Sequence, residues 1–489
     1  MEAIQFEMQS AQAVSGEHIV TGAQIAQALQ LMSAKPNKLI ADAPEILYSE
    51  QCSKNKNLAT DDANLYVWND SYWQLQTDVE TKRHALKWLQ LNNRTRATEQ
   101  TAKSCHKTAL LLTQQMPPKP DRIVVPAGGQ WFVMDDGFDW CVESPDRTVG
   151  ITHGIRLNAR PFPGIYSPAP VPVDSLFGRY LNTSLPDLAV RELVQEYIGY
   201  TLCNMNLQCA QLWVGNGSNG KSVMLNIARA LHEKAVAMRL DKLDGFDLTS
   251  IVGASLAICD ETPKAKINQQ ALKSLISQGY IDINPKYKAA FSYKPIAKWI
   301  ICGNHMPAIN DHSDGWWRRF HIIEWNVQVK GKDIINDLDG KIIRDELHIV
   351  LDWALAGLSR LAERGGFEIP EAVEQAKQAA KADSDTVASW IWTMGIVLDA
   401  NAKTKKRDLY VSYSEHCEQL GFPSCNEGQF FKRLNGEIPG IKSERIMVHE
   451  GNKKRRAYCV NLSVGRFDDE SAAPSQPEEL DNDPFAVKL

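Results

Sequence analysis

Along the middle of the chain, short and continuously apolar runs end in polar turns, the pattern of strands buried on both faces of a sheet. Ala210–Val214, Ala254–Cys259, Ala297–Gly303 and His321–Ile323 are runs of this kind. After the first of them the period changes: Val223–Leu231 carries apolar residues at helical spacing without Gly or Pro, which predicts a helix. Ile281–Tyr293 alternates around Asn284-Pro285 and basic residues, which predicts a hairpin with Lys286 and Lys288 near its tip. Strands interleaved with helices place the chain in the α/β class. Upstream, Trp131–Met134 predicts a strand ending in the polar turn Asp135–Asp139, and Ile25, Leu29 and Met32 mark one apolar face of a helix. Downstream, the Ala/Lys/Glu-rich stretch Glu371–Asp383 predicts a helical connector. Beyond it, Leu409–Tyr413 with Cys417 predicts a helix stopped near Gly421, Asn426–Leu434 a second helix carrying Phe430 and Phe431, and Ile441–Leu462 a hairpin turning at Glu450-Gly451-Asn452. Helix, helix, hairpin is the order of a winged helix.

Composition sets the frame for these elements. A chain of 489 residues, 44% of them hydrophobic, exceeds what one core serves and should divide into about two to four domains. The acidic start, Met1–Glu7, lacks an apolar segment and no stretch is long enough to span a bilayer, so a cytoplasmic protein without membrane contact is expected. The ten cysteines are scattered singly without a C-x-x-C pair, and several, such as Cys259 and Cys302, fall inside apolar runs, so neither disulfides nor a zinc site is expected. A net charge of −5 excludes a surface that coats nucleic acid throughout and leaves local basic patches or a channel. From Arg466 the chain turns polar and acidic and should be disordered, either a solubilising tail or one that docks on a partner protein through the acidic-then-aromatic Asp481–Phe485.

The candidate chemistry begins where the first apolar run ends. Gly215-Asn216-Gly217-Ser218-Asn219-Gly220-Lys221-Ser222 fits the phosphate-binding pattern G-x-x-x-x-G-K-[ST] without a mismatch. The glycines let backbone N–H groups face a triphosphate, Lys221 would reach the outer phosphates of ATP, Ser222 would ligate Mg²⁺, and the following helix adds its N-terminal dipole. The flanking strand and helix set this apart from a Gly-rich turn with a chance Lys-Ser. The run ending at Cys259 is followed by Asp260 and Glu261; Asp260 would hold the metal and Glu261 would polarise the attacking water, although an acidic pair at a strand end reads equally as a solvated turn. Asn304 ends the third run and would sense the γ-phosphate, unless it merely forms a turn. Arg318 and Arg319 stand ready to stabilise transition-state charge, with a surface salt-bridge pair as the alternative. Lys286, Tyr287 and Lys288 would grip a nucleic-acid backbone or form a solvated edge. Lys453, Lys454, Arg455 and Arg456 beside the distal hairpin tip, with Lys403, Lys405, Lys406 and Arg407 before the first distal helix, make phosphate contact plausible, against a winged helix used for protein contact.

Taken in order, these residues resemble the superfamily 3 helicases, specifically the phage and plasmid primase-helicase family that includes the poxvirus primase-helicase. The resemblance is carried by Gly217–Ser222, Gly245-Phe246-Asp247-Leu248, the carboxylates at 260 and 261, Lys286-Tyr287-Lys288 with Phe291, Gly303-Asn304-His305-Met306-Pro307 and Gly315-Trp316-Trp317-Arg318-Arg319. Leu65–Trp73 is similar to the strand-turn-strand of the helicase-associated domain that precedes the ATPase in that family. The resemblance implies a P-loop (AAA+-like) ATPase core, a mixed α/β helicase-associated domain before it and a winged helix after it. It divides the chain into a helical segment at 1–44, the helicase-associated domain at 45–190, the ATPase at 191–370, a connector at 371–384, the winged helix at 385–465 and an acidic tail at 466–489. It further implies a homo-hexameric ring, ATP sites at subunit interfaces with Arg318 or Arg319 acting in trans, Lys286 and Lys288 on a pore hairpin, and 3′-to-5′ translocation on single-stranded and forked DNA. Ser277-Gln278-Gly279 departs from the family's Gly-Gly-Asp-like turn, and the Asn-Gly typical of the preceding domain is missing near Gly128. No primase activity is expected, because the stretch before the helicase-associated region is too short for a polymerase sheet. The rivals are a DNA-binding P-loop switch that does not translocate, and a small-molecule kinase.

Overall fold

The computed structural model describes residues 43–158, 161–262, 267–285, 290–307, 309, 314–331, 334–450 and 453–465. The predicted helix around Ile25–Met32, the hairpin tip at Lys286–Lys288 and the acidic tail lie outside the described residues. The chain divides into two compact units, 1–377 and 378–489.

The first unit opens with α1 (Pro44–Lys54), the antiparallel strands β1 (Leu58–Thr60), β2 (Leu65–Trp68) and β3 (Trp73–Leu75), then α2 (Asp78–Asn92) and α3 (Glu99–Leu112). Thr77 and Glu80 start α2 with a reciprocal capping box. The β2–β3 turn forms because Asn69 Oδ1 accepts from the amides of Ser71 and Tyr72 at 3.1 and 2.9 Å. Strands β4 (Val124–Ala127), β5 (Gln130–Met134), β6 (Trp140–Glu143) and β7 (Gly164–Tyr166) follow as an antiparallel sheet in chain order. The β5–β6 turn is the predicted acidic cluster: Asp135 Oδ1 accepts from the amides of Gly137 and Asp139, both at 2.9 Å.

Helices α4 (Leu176–Ser184) and α5 (Leu188–Leu202) lead into β8 (Ala210–Val214), α6 (Lys221–Leu231), β9 (Ala235–Ala237), β10 (Leu256–Cys259) and α7 (Gln269–Ile276). The hairpin β11 (Ile281–Ile283) and β12 (Phe291–Tyr293) precedes β13 (Lys298–Gly303), α8 (Asp314–Trp317), β14 (Phe320–Glu324), α9 (Leu338–Asp345) and α10 (Leu347–Arg364). The apolar runs become a parallel five-stranded sheet in the order β14-β8-β13-β10-β9, so the protein is a mixed α/β fold. Helix α10 packs on α5 at small residues, since a Cβ at Gly199 would lie 2.4 Å from the Ala354 carbonyl. Buried Glu196 ties the pair through Arg360, at 2.8 Å, and Arg364. Helix α11 (Glu371–Ser384) is more than a connector at its start, because Val373 sits in the large core of the first unit.

The second unit holds α12 (Thr386–Thr393), β15 (Ile396–Leu398), β16 (Thr404–Lys405), α13 (Lys406–Gln419), α14 (Glu427–Glu437), β17 (Ser443–Glu450), β18 (Lys453–Val460) and β19 (Leu462–Val464). Asn426 caps α14 by accepting from the Gln429 amide at 2.9 Å. Trp390, Tyr413 and Phe430 fill its core, so α12, which the sequence reading passed over, supplies a central side chain. All ten cysteines are free, and among the described residues no helix is long and apolar enough to cross a membrane.

Candidate functional site

The site is built at the carboxyl ends of parallel strands, where open α/β sheets leave a crevice. Strand β8 lies between β13 and β14 and runs into the loop Gly215–Gly220, after which Lys221 opens α6. Gly217, Ser218 and Gly220 take left-handed φ of 89°, 49° and 82°, a path that suits glycine at two of the three positions. The loop is held from several sides. Asn219 is buried and donates to the Trp325 carbonyl at 2.9 Å, the Val329 amide donates to the Ser218 carbonyl at 2.8 Å, and the Tyr180 hydroxyl donates to the Gly220 carbonyl at 2.8 Å. There is no room for a side chain at Gly220, where a Cβ would lie 2.3 Å from Ser184 Oγ, or at Gly215, where it would lie 2.5 Å from the Trp325 carbonyl.

Lys221 is 7% exposed, and its Nζ donates to the carbonyls of Gly215 and Gly303 at 3.1 and 2.7 Å, the ends of β8 and β13. Burial lowers its pKa, opposed by Cys302 and by the Asp260 carboxylate nearby. Asn216, Ser218 and Ser222 are exposed at the same edge. Asp260 and Glu261 leave β10 and Asn304 leaves β13; all three are exposed. Thr262 joins these two strand ends: its hydroxyl donates to the His305 carbonyl at 2.9 Å, over a glycine at 303 whose Cβ would clash with it at 2.2 Å. A nucleotide triphosphate with Mg²⁺ would find backbone amides, Lys221, the Ser222 hydroxyl and the Asp260 carboxylate at one edge; these groups suit that cofactor.

The arginine pair is elsewhere. Arg319 accepts a hydrogen bond from the Ala210 amide, at 2.7 Å, through its carbonyl, so Arg318 and Arg319 lie at the start of β14 and β8. Five residues of strand separate them from the Gly215 loop, about 17 Å at 3.3–3.4 Å per residue. The two side chains also differ. Arg319 is half-buried; its Nε and Nη2 donate to Ser277 Oγ at 3.0 and 2.9 Å, and Nη1 donates to the Gly315 carbonyl. Arg318 is exposed and makes no hydrogen bond or ion pair among the described residues. Ser277 and Gln278, which departed from the family pattern, pin this edge together. Gln278 is buried with φ 54° and donates to the Ile296 carbonyl at 3.0 Å. The base of the β11–β12 hairpin is fixed by Tyr293, whose hydroxyl accepts from the Gly253 amide at 2.7 Å.

In the second unit Arg455 and Arg456 are exposed on β18; the side chains of Lys453 and Lys454 lie outside the described residues. Lys406 and Arg407, expected before the first distal helix, are instead the first residues of α13, and Lys406 stands over the Phe431 ring at 4.7 Å, which commits it to packing. Among the described residues no three His, Cys, Asp or Glu side chains gather as a metal site. Tyr180, Ser184, Thr262 and Trp325 were missed from the sequence because none carries a motif, and Ser277 stood out only as part of a turn; Tyr180 and Ser184, four apart on one helix face, hinted that α4 faces something close.

A family model described as "Family of unknown function (DUF5906)" matches residues 213–319, the stretch from β8 to the arginine pair. The chain is related in sequence to "Putative helicase 121R" of Invertebrate iridescent virus 3, 22% identical over 330 residues, which are 60% of this chain. The chain spans about a third of that relative's length, 34%. Among solved structures it is similar to the apo structure of the NrS-1 C terminal region, with 13% identity, 87% of this chain and 100% of that one covered and a TM-score of 0.43, and to the A form of the same region, with 14% identity, the same coverage of both chains and a TM-score of 0.42.

Proposed function

We propose that this protein is an ATP-driven DNA helicase serving replication of a phage, plasmid or mobile element. The observation that carries the reading is the alignment of the Gly215–Ser222 loop, Asn304 and Asp260-Glu261 along one edge of one parallel sheet, with Lys221 in the field of Asp260. In this reading the first unit contains a P-loop ATPase. Its loop amides and Lys221 bind the triphosphate, Ser222 and Asp260 hold Mg²⁺, Glu261 polarises water and Asn304 senses the γ-phosphate. The arginine pair sits at the far end of the strands, so it serves a neighbouring subunit's nucleotide rather than its own. That favours a ring with interfacial sites, taken here as a homo-hexamer. Of the two, exposed Arg318 is the finger and Arg319 the brace. Lys286, Tyr287 and Lys288 grip single-stranded DNA in the pore as the ring moves 3′ to 5′. The second unit acts as a winged helix whose Lys453, Lys454, Arg455 and Arg456 meet duplex phosphates at the fork, and the acidic tail meets a separate primase or another replication protein. The relative named as a helicase supports the activity class.

The test is strand displacement on a fork with a 3′ single-stranded tail, with ATP, comparing the unmodified protein, Lys221→Ala and the Lys286→Ala/Lys288→Ala pair. Unwinding by the unmodified protein alone, with ATP binding kept in the lysine pair, is expected. ATP hydrolysis without opening of a fork of either polarity would transfer the protein to the regulatory-switch class.

A further inference from the structure

The edge of the parallel sheet remote from Lys221 is concave and polar. A cavity of about 350 Å³ opens beside Tyr72, Arg156, Glu233 and Lys234, and it shares Thr152, His153 and Ser255 with a narrower cleft of about 20 Å³ that reaches Lys119 and Lys298. We propose that this double cavity binds a phosphate group, free or carried on a small molecule, with the phosphate in the larger cavity where it meets the narrow cleft of Lys298 and Lys119, and any remainder beyond it. The site is separate from the Gly215–Ser222 loop and does not rest on the helicase reading.

Lys298, the first residue of β13, is 5% exposed and donates to the Cys203 carbonyl at 3.0 Å, with the Tyr200 ring 5.2 Å away. An ammonium has three donors, and a buried charge is costly unless it is paired. Yet no Asp or Glu is among the described residues lining the narrow cleft, and the charge beside Lys298 is that of Lys119. Burial pushes the Lys298 ammonium down to about 8, the direction expected for a cation that lacks its counter-ion. In the larger cavity, among the described residues, Arg156 and Lys234 donate to carbonyls, of Glu233 at 3.3 Å and Val252 at 2.7 Å; Glu80 acts on Lys234 from outside the lining, and Glu233, the one acid among the described lining residues, has its carboxylate engaged by the Tyr72 hydroxyl. Where the cavities meet, buried Ser255 and His153 are already oriented: Ser255 Oγ lies 2.8 Å from His232 Nδ1, and His153 Nε2 lies 3.0 Å from the Leu202 carbonyl. Gly154 keeps the junction open, because a Cβ there would lie 2.4 Å from the Tyr72 ring and 2.8 Å from the Glu233 carboxyl. A phosphate would supply the missing negative charge and accept from lysine and hydroxyl donors, and the larger volume is in the range of small-molecule sites.

Calorimetric titration of the full chain with inorganic phosphate, and separately with ribose 5-phosphate, tests this in the unmodified protein, Lys221→Ala, Lys298→Met and Lys119→Ala. Binding should survive Lys221→Ala and weaken at least tenfold in Lys298→Met and in Lys119→Ala. Tighter binding of ribose 5-phosphate would identify an ester as the ligand, and equal binding the free anion. Lys298→Met should keep its melting temperature, since a thioether chain replaces an uncompensated ammonium of similar shape; if it fails to fold, exposed Lys119 carries the test. Phosphate binding that persists in both lysine variants, or that Lys221→Ala alone abolishes, overturns the proposal.

Discussion

Arg318 and Arg319 are adjacent in the chain and opposite in character, and the difference is entirely one of partners. Arg319 spends its guanidinium on Ser277 and Gly315, whereas Arg318 faces solvent. Arg318→Ala is therefore expected to leave the melting temperature unchanged and to lower DNA-dependent ATP hydrolysis by about 10³-fold or more, the scale of a lost arginine finger. Arg319→Ala should instead cost about 1.5–3 kcal/mol of stability, the range for hydrogen bonds made by a charged group, read by denaturant unfolding. Ser277→Ala should reproduce part of that loss, and the double variant should lose less than the sum, because both substitutions remove one interaction. Equal stability of the two arginine variants would contradict this division of roles. The sequence showed the pair but not the difference, since Ser277 is forty-two positions away and reads as an ordinary turn residue.

At the scale of the element, the Gly215–Gly220 loop depends on two glycines for different reasons. Gly217 needs its left-handed φ of 89° but faces open space, while Gly220 combines φ 82° with contact against Ser184 and Tyr180. Gly217→Ala should cost about 1–2 kcal/mol of backbone strain. Gly220→Ala adds a clash with α4 and should lose nucleotide affinity and melting temperature together; both variants can be compared by ATP titration and thermal unfolding. The pattern announced the loop because strand, glycines and helix are consecutive. It was silent on Tyr180, Trp325 and Val329, which brace the loop from residues that only the folded chain brings near.

The whole molecule couples its stability to pH through histidines buried without charge. Burial lowers His153 to about 4, His232 to about 3 and His321 to about 4, from an ordinary value near 6.5. Below pH 6.5 the unfolded chain takes up protons on these histidines that the folded chain refuses, so their contribution to stability falls as the pH falls and stays level above that value. Each histidine should cost about 2 kcal/mol between pH 7 and pH 5, visible in the first unit's unfolding transition. Because the two units have separate cores, calorimetry of the full chain should resolve two transitions, the first made acid-sensitive by these three histidines and the second by His416, which burial also lowers; a single transition would contradict the division. By itself the sequence determined the α/β class, the buried strands, the glycine-rich loop and the carboxylates and amide at strand ends, because apolar period and turn chemistry are local properties. Only the tertiary structure decided the strand order, which carries Asp260 and Asn304 to Lys221's edge and the arginines to the other, and only it closed a cavity around Lys298. Those outcomes depend on which strands become neighbours, and hydrogen bonding between strands leaves no signature in the spacing of either one.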